Sequence, residues 1–265
     1  MVKTIEYLSL SALAYVDFKE SDAGLTLDEI IRDEQKKKSR KDFNLDSPEL
    51  SALQDPSNPL RSFVLLSQSP LTYTRTVKDR NGIRTITVEN EFSCIALQNP
   101  ETKEIIFAFR GTETTDNGIP VWNDAATDAI IGLTVLPPLQ AQNVLDFAQS
   151  TVAKLTNNKD ISINRSLQYL KNNNATATGH SLGGGLASYL THATSNLDTG
   201  GSYGGIKSVT FNAVGIGHSL PKLGGVARLK QYNVTDHVNS LDWVGMYGLQ
   251  LGSPIIHLDN SDIDY

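Results

Sequence analysis

A single cysteine, Cys94, occurs in the whole chain. It cannot close an internal disulfide, so the fold does not depend on an oxidising compartment. Within the apolar run "FSCIALQ" it reads as a buried, inert thiol rather than a nucleophile. No pair of cysteines and no Cys/His cluster has zinc spacing, so neither a metal nor a required cofactor is expected. Excess positive charge is missing as well. The net charge of −6 argues against nucleic acid as a partner, because phosphate binding needs a concentrated basic face. The one basic run, "KKKSRK" at 36–41, reads as a solvated surface stretch. Nowhere do 18 uncharged apolar residues follow one another, so no segment is expected to span a membrane. The opening "MVKTIEYLSLSALAYVDFKE" carries Glu6 and Asp17 and lacks the layout of a cleavable signal peptide. The expectation is synthesis in the cytoplasm, with export by a signal-independent route left open.

What remains is a chain of 265 residues, 39% hydrophobic, enough for one large core. Residues 5–18 place Ile5, Leu8, Ala12, Tyr15 and Val16 on one face and predict a first helix. Residues 19–60 are polar, and 1–60 together read as a helical N-terminal addition. "LTYTRTVKDRNGIRTITVE" alternates and predicts a hairpin turning at Asn81-Gly82. "FSCIALQN" and "EIIFAFRGT" read as buried strands. Helical spacing returns at 140–156 and 162–171. Then come the strand "ATATG", the helix "LGGGLASYLTHATS", and the strands "IKSVTFNAVG" and "LKQYNV". Strands alternating with helices predict an α/β domain with a mostly parallel central sheet flanked by helices.

The chemistry is carried by "TGHSLGGG" at 178–185. Gly179 and Gly183 stand two residues either side of Ser181. A serine at a sharp strand-to-helix turn is crowded at those two positions, and only small residues fit there. The following helix points partial positive charge at the serine and favours an oxyanion beside it. The reading is an exposed nucleophile; the competing one is a glycine-rich turn without chemistry. His180, adjacent in sequence, points elsewhere and reads as a packing residue.

"TGHSLGGGLA" together with the upstream "FAFRGT" resembles the class 3 lipase family of α/β-hydrolases. More narrowly, the chain resembles the bacterial lipase and phospholipase branch. It shares an "AY" helix near the start, a W-x-D region (Trp122, Asp124) and a following P-x-Q, here within "VWNDAATDAIIGLTVLPPLQAQ". The similarity spans roughly 90–257 and the first helix. It implies the α/β-hydrolase fold over 1–265. It also implies hydrolysis of lipid carboxylic esters, as a triacylglycerol lipase or phospholipase A, through an acyl-serine intermediate. The backbone amides of Thr112 and Leu182 would form the oxyanion hole, and the partner would be a lipid or phospholipid met by transient contact with a membrane surface.

A serine nucleophile needs a base and the base an acid, in the chain order serine, acid, histidine. His192 lies in the helix after the nucleophile, and His218 precedes any matched acid. His257 has the right order, with His237 behind it, and a base beyond this chain is the further alternative. The family's acid pattern N-x-x-D-x-V occurs twice, as "NVTDHV" with Asp236 and "NSLDWV" with Asp242. Asp236 is favoured for its place just after "LKQYNV". Residues 130–139, "IIGLTVLPPL", carry no charge and read either as an apolar flap meeting lipid or as core. Alternatives on the same fold are a small-ester esterase, a thioesterase or an amidase. A noncatalytic binding module without a competent base is an alternative of another class.

Overall fold

The computed structural model describes residues 2–38, 43–70, 72–79, 82–89, 92–111, 115–116, 119–120, 136, 138–195, 204–220, 231–240 and 248–257. Helices α1 (Thr4–Leu13) and α2 (Leu27–Lys37) come first, with 3-10 turns at Glu20–Asp22, Ser51–Gln54 and Pro59–Ser62. Strand β1 (Val64–Gln68) follows, then a hairpin of β2 (Thr72–Asp79) and β3 (Gly82–Glu89). Next are β4 (Cys94–Gln98), β5 (Ile105–Phe109) and the two-residue strands β6 (Thr115–Asp116) and β7 (Ile119–Pro120). Helices α3 (Pro138–Thr156) and α4 (Ile163–Asn172) lead to β8 (Thr176–His180) and α5 (Leu182–Ser195). The chain closes with β9 (Lys207–Phe211), β10 (Gly215–Ile216), β11 (Val234–Asn239), β12 (Gly248–Leu249) and β13 (Ser253–His257).

Seven strands form one sheet in the order β1-β4-β5-β8-β9-β11-β13. β1, β4 and β5 pair antiparallel, and β5, β8, β9, β11 and β13 run parallel. This is the mixed, mostly parallel α/β sheet that the alternation of strand and helix predicts. β5 is buried along its whole length, which explains why "IIFAF" does not alternate.

One core lies under α3, α4 and α5 and is built on Phe107, Phe109, Val144, Phe147, Leu186 and Leu190. The other lies under α1 and α2, with Tyr7, Leu10, Ile30, Ile31, Ile106 and Phe211. Residues 4–38 and 43–62 therefore cover one face of the sheet. The polar composition of 19–60 concealed α2. Its start is written in "TLDE": Thr26 accepts from the Glu29 N–H, and the Glu29 carboxylate takes the Thr26 N–H back. The buried side of α1 is Tyr7, Leu10 and Leu13 rather than Ile5, Leu8 and Ala12, which are only partly covered. Ser9 and Ser11 are buried beside them, their hydroxyls bonded to the carbonyls of Glu49 and Leu8. Spacing of apolar residues alone misplaces a face that contains serines.

The hairpin forms, with Asp79 opposite Gly82; Asn81 of the expected turn lies outside the described residues. Cys94 is fully buried and burial pushes its thiol well up, as an inert cysteine requires. Among the described residues no helix is long and apolar enough to cross a membrane.

Candidate active site

Strand β8 ends at His180 and α5 begins at Leu182, which leaves one residue for the reversal. That residue is Ser181, with φ +56°. A side chain in this left-handed region costs roughly 1 kcal/mol and is kept only where the surroundings over-determine it. Here they do. The Ser181 N–H donates to the Phe211 carbonyl at 3.1 Å. Its carbonyl accepts from Val214 N–H at 3.1 Å and from Gly185 N–H at 3.2 Å.

The glycines at both two-residue offsets are now explained by contact. A Cβ on Gly179 would collide with the Gly183 backbone, and one on Gly183 with the Phe109 carbonyl. A Cβ on Gly184 would meet the Ala213 Cβ at 2.5 Å. The start of α5 thus sits directly on β5 and the chain after β9, which is what small residues there permit. Leu182 is the first residue of α5, so its N–H is one of the four that find no acceptor within the helix. It is oriented with the helix start, beside Ser181.

The "FRGT" turn arrives at the same point. A Cβ on Gly111 would lie 2.7 Å from the His180 carbonyl and 3.4 Å from the Ser181 Cβ. The Gly111 N–H donates to the Tyr15 hydroxyl at 3.0 Å, and Arg110 pairs with Asp17 at 3.8 Å. The segment after α1 therefore holds the turn in two places. Tyr15 contributes its hydroxyl to this contact and not only an apolar ring to a helical face. The only signal was the "AY" pair shared with the resembled family. Thr112, Trp122 and Asp124 lie outside the described residues.

The favoured acid and base are not brought together. β11 begins at Val234, the last residue of "LKQYNV", so Asp236 is its third residue and not part of a loop after it. Asp236 is wholly buried, and its Oδ1 accepts from Thr210 Oγ1 at 2.8 Å and from Ala213 N–H at 3.2 Å. Successive strand residues point to opposite faces. His237 accordingly lies on the other face, against Phe211, with ring centroids 5.5 Å apart. His257 joins it there: His237 Nδ1 and His257 Nε2 are 3.0 Å apart, the centroids 5.3 Å and the planes 20° apart. Those distances make the two rings nearly coplanar and joined edge to edge by one hydrogen bond. Burial and the neighbouring His257 both lower His237 below the usual histidine range.

Asp236 and His257 thus occupy opposite faces of the sheet. His257 is also on β13, three strands from β8, or about 14 Å at ordinary spacing. Among the described residues no hydrogen bond joins a histidine to the Ser181 hydroxyl. His192, in α5, bonds Tyr232 Oη at 2.8 Å, and His218 is exposed in a 3-10 turn. Asp242 lies outside the described residues. It follows the carboxyl end of β11 by three positions in sequence.

Of residues 130–139, only Leu136, Pro138 and Leu139 are described. Leu136 is core, 5% exposed, whereas Leu139 is 68% exposed at the start of α3. A groove of about 540 Å³ runs between α3, α4 and α5, past Leu145, Leu167, Tyr189 and His192. Tyr189 is eight residues along from Ser181, roughly 12 Å of helix, so the groove is not the nucleophile's mouth.

No family model matches the chain, and no curated protein matches it. Among solved structures it is similar to the native Rhizomucor miehei lipase propeptide complex. The TM-score is 0.42 at 13% identity, over 97% of this chain and 68% of that one. A deletion mutant of the same complex gives 0.43 at 13%, over 97% and 66%. Lip2 lipase from Yarrowia lipolytica gives 0.44 at 13%, over 96% and 77%.

Proposed function

We propose that this chain is a serine hydrolase that cleaves carboxylic esters of lipids through an acyl-Ser181 intermediate. One observation carries the reading: a serine is held at φ +56° between a strand and a helix, in a turn walled by Gly179 and Gly183. A glycine would relieve the backbone strain there, yet the position carries a hydroxyl.

In this reading Ser181 Oγ attacks the ester carbonyl, and a histidine takes its proton. The carbonyl oxygen becomes an oxyanion facing the Leu182 N–H and, from the "FRGT" turn, the Thr112 N–H. One such donor is worth about 3 kcal/mol of barrier. Collapse breaks the carbonyl–alkoxy bond, and the imidazolium returns the proton to the leaving alcohol. Water then attacks the acyl-serine by the same route in reverse. Asp242 is the acid, because catalytic groups of parallel sheets gather beyond the carboxyl ends of strands and Asp236 is buried within one. His257 is the sole histidine after Asp242 in the sequence. To act as base it has to leave His237. The uncharged stretch 130–139 supports a lipid over a small ester.

The His237–His257 bond favours a second reading, a noncatalytic lipid-binding module that keeps the serine turn without a base. Turnover separates the two. The hydrolase reading expects hydrolysis of a short-chain ester and of dispersed lipid, both abolished by Ser181→Ala. Turnover that persists in Ser181→Ala, or none from the native chain, removes it.

A further inference from the structure

We propose that the groove between α3, α4 and α5 is a binding site for an uncharged, single-chain lipid alcohol, separate from the serine turn. It opens where helices that share one core leave the space between them unfilled. Ala141 on α3 and Ala193 on α5 each contribute only a methyl to its walls. Facing helices ordinarily close such a gap by interleaving larger side chains. One wall is tied in place: the Leu136 N–H, just before α3, donates to Ser219 Oγ at 2.5 Å in the 3-10 turn Gly217–Ser219. Pro138 and Asn164 line the groove and are exposed, so it reaches solvent. Its volume of about 540 Å³ falls within the roughly 300–1,000 Å³ of small-molecule sites.

Charge selects the occupant. Twelve residues line the groove, and none is Asp, Glu, Lys or Arg. Most are aliphatic, among them Leu145, Leu167 and Leu220. His192 supplies no cation either. Its Nδ1 is bonded to Tyr232 Oη at 2.8 Å, and burial pushes the imidazole down to about 4, so the ring is neutral near pH 7. A carboxylate or phosphate placed here would lose water and gain no counter-charge, which is costly. That disfavours a free fatty acid and a phospholipid head.

Two uncharged groups can hold an uncharged head. The Tyr189 hydroxyl and the Asn164 amide both line the groove, and neither bonds to a described residue. Together they offer donors and acceptors to a hydroxyl, which uses both. Hydrocarbon against the leucines, with a hydroxyl at Tyr189 or Asn164, is the arrangement of an apolar site oriented by a few polar groups. Leu139, exposed next to Pro138, adds an apolar lip. The site goes beyond the hydrolase reading and does not rest on it, since a fatty alcohol has no ester to cleave.

Isothermal titration calorimetry of the native chain with 1-decanol, sodium decanoate and decyltrimethylammonium chloride tests this, each below its aggregation threshold. Decanol binds at one site per chain. Both charged analogues bind at least about ten-fold more weakly, because neither finds a counter-charge. Ala141→Phe and Ala193→Phe, each at a partly exposed position, fill the groove and abolish decanol binding. Tyr189→Phe weakens it about five-fold, the worth of one uncharged hydrogen bond. Asn164→Lys places a cation on the rim and strengthens decanoate binding about five-fold over the native chain, through a charge-assisted bond.

Absence of saturable decanol binding overturns the proposal. So does decanoate binding as tight as that of decanol in the native chain. Unchanged decanol affinity in a folded alanine variant seats the ligand elsewhere, the serine turn included, and overturns it too. Should both alanine variants misfold, Tyr189→Phe and Asn164→Lys decide: native affinities for decanol in the first and for decanoate in the second refute the groove.

Discussion

The Tyr15 hydroxyl accepts a hydrogen bond from the Gly111 N–H at 3.0 Å, linking the segment after α1 to the turn that touches Ser181. Tyr15→Phe removes the acceptor and leaves a buried backbone N–H without it, a loss of about 1–3 kcal/mol. The cost falls on the Gly111 turn that touches Ser181. We therefore expect kcat on a short-chain ester to drop ten-fold or more, with KM nearly unchanged and a modest fall in Tm. Steady-state kinetics beside thermal melting checks this; an unchanged kcat with the same fall in Tm leaves Tyr15 a purely structural anchor.

The conformation of Ser181 makes a prediction about stability that needs no substrate. At φ +56° any side chain is strained and glycine is not. Ser181→Gly is expected to be more stable than Ser181→Ala by about 1 kcal/mol in urea unfolding. Gly183→Ala goes the other way, since its Cβ collides with the Phe109 carbonyl of the adjoining strand. That variant is expected to lose at least about 2 kcal/mol, on the scale of forced overpacking. Equal stability of the two Ser181 variants would mean that the turn is not strained.

How much of this was legible in the sequence follows from where the information lies. The glycines around Ser181 could be read because the constraint is local: residues two apart at a sharp turn crowd each other in any fold. The alternation of strand and helix was legible for the same reason. The start of β11 was not, because Asp236 sits in a strand whose partners, β9 and β13, are distant in sequence. A buried aspartate that accepts from Thr210 and Ala213 cannot be told by composition from a loop aspartate. The contact of His237 with His257 is equally nonlocal. It depends on the parallel register of β11 and β13, in which His257 pairs with Asn239 two residues beyond His237.

The two aspartates are separated by different costs. Asp236→Asn keeps an oxygen for the Thr210 hydroxyl and the Ala213 N–H but places an amide NH₂ in a fully buried site. We expect a loss of stability of about 1–3 kcal/mol with activity per folded molecule retained. Asp242→Asn should leave Tm within a few degrees and cut kcat by roughly 10⁴, the effect of losing the acid that orients the base. Melting curves and ester turnover on the same preparations decide it. The reverse pattern, Asp236→Asn stable and inactive, restores Asp236 as the acid.

Burial lowers the His192 imidazole to about 4, against 6.5 when exposed. The folded chain then holds fewer protons than the unfolded chain between those values, so stability rises with pH across that window. The contribution is complete above pH 6.5 and is lost as pH falls toward 4. Discounted for partial exposure, it is about 2 kcal/mol. Urea unfolding at pH 7 and pH 5 should show this dependence in the native chain and a weaker one in His192→Gln. Identical pH dependence in both would place the titration elsewhere.

The account turns on Ser181 being a nucleophile, and a fluorophosphonate ester tests that directly, because its phosphorus is attacked by an activated serine and the adduct is stable. Intact-mass and peptide mass spectrometry after incubation should show one phosphonyl group, on the peptide containing Ser181, and none in Ser181→Ala. An adduct on another residue, or an unmodified Ser181 in a folded chain, contradicts the account.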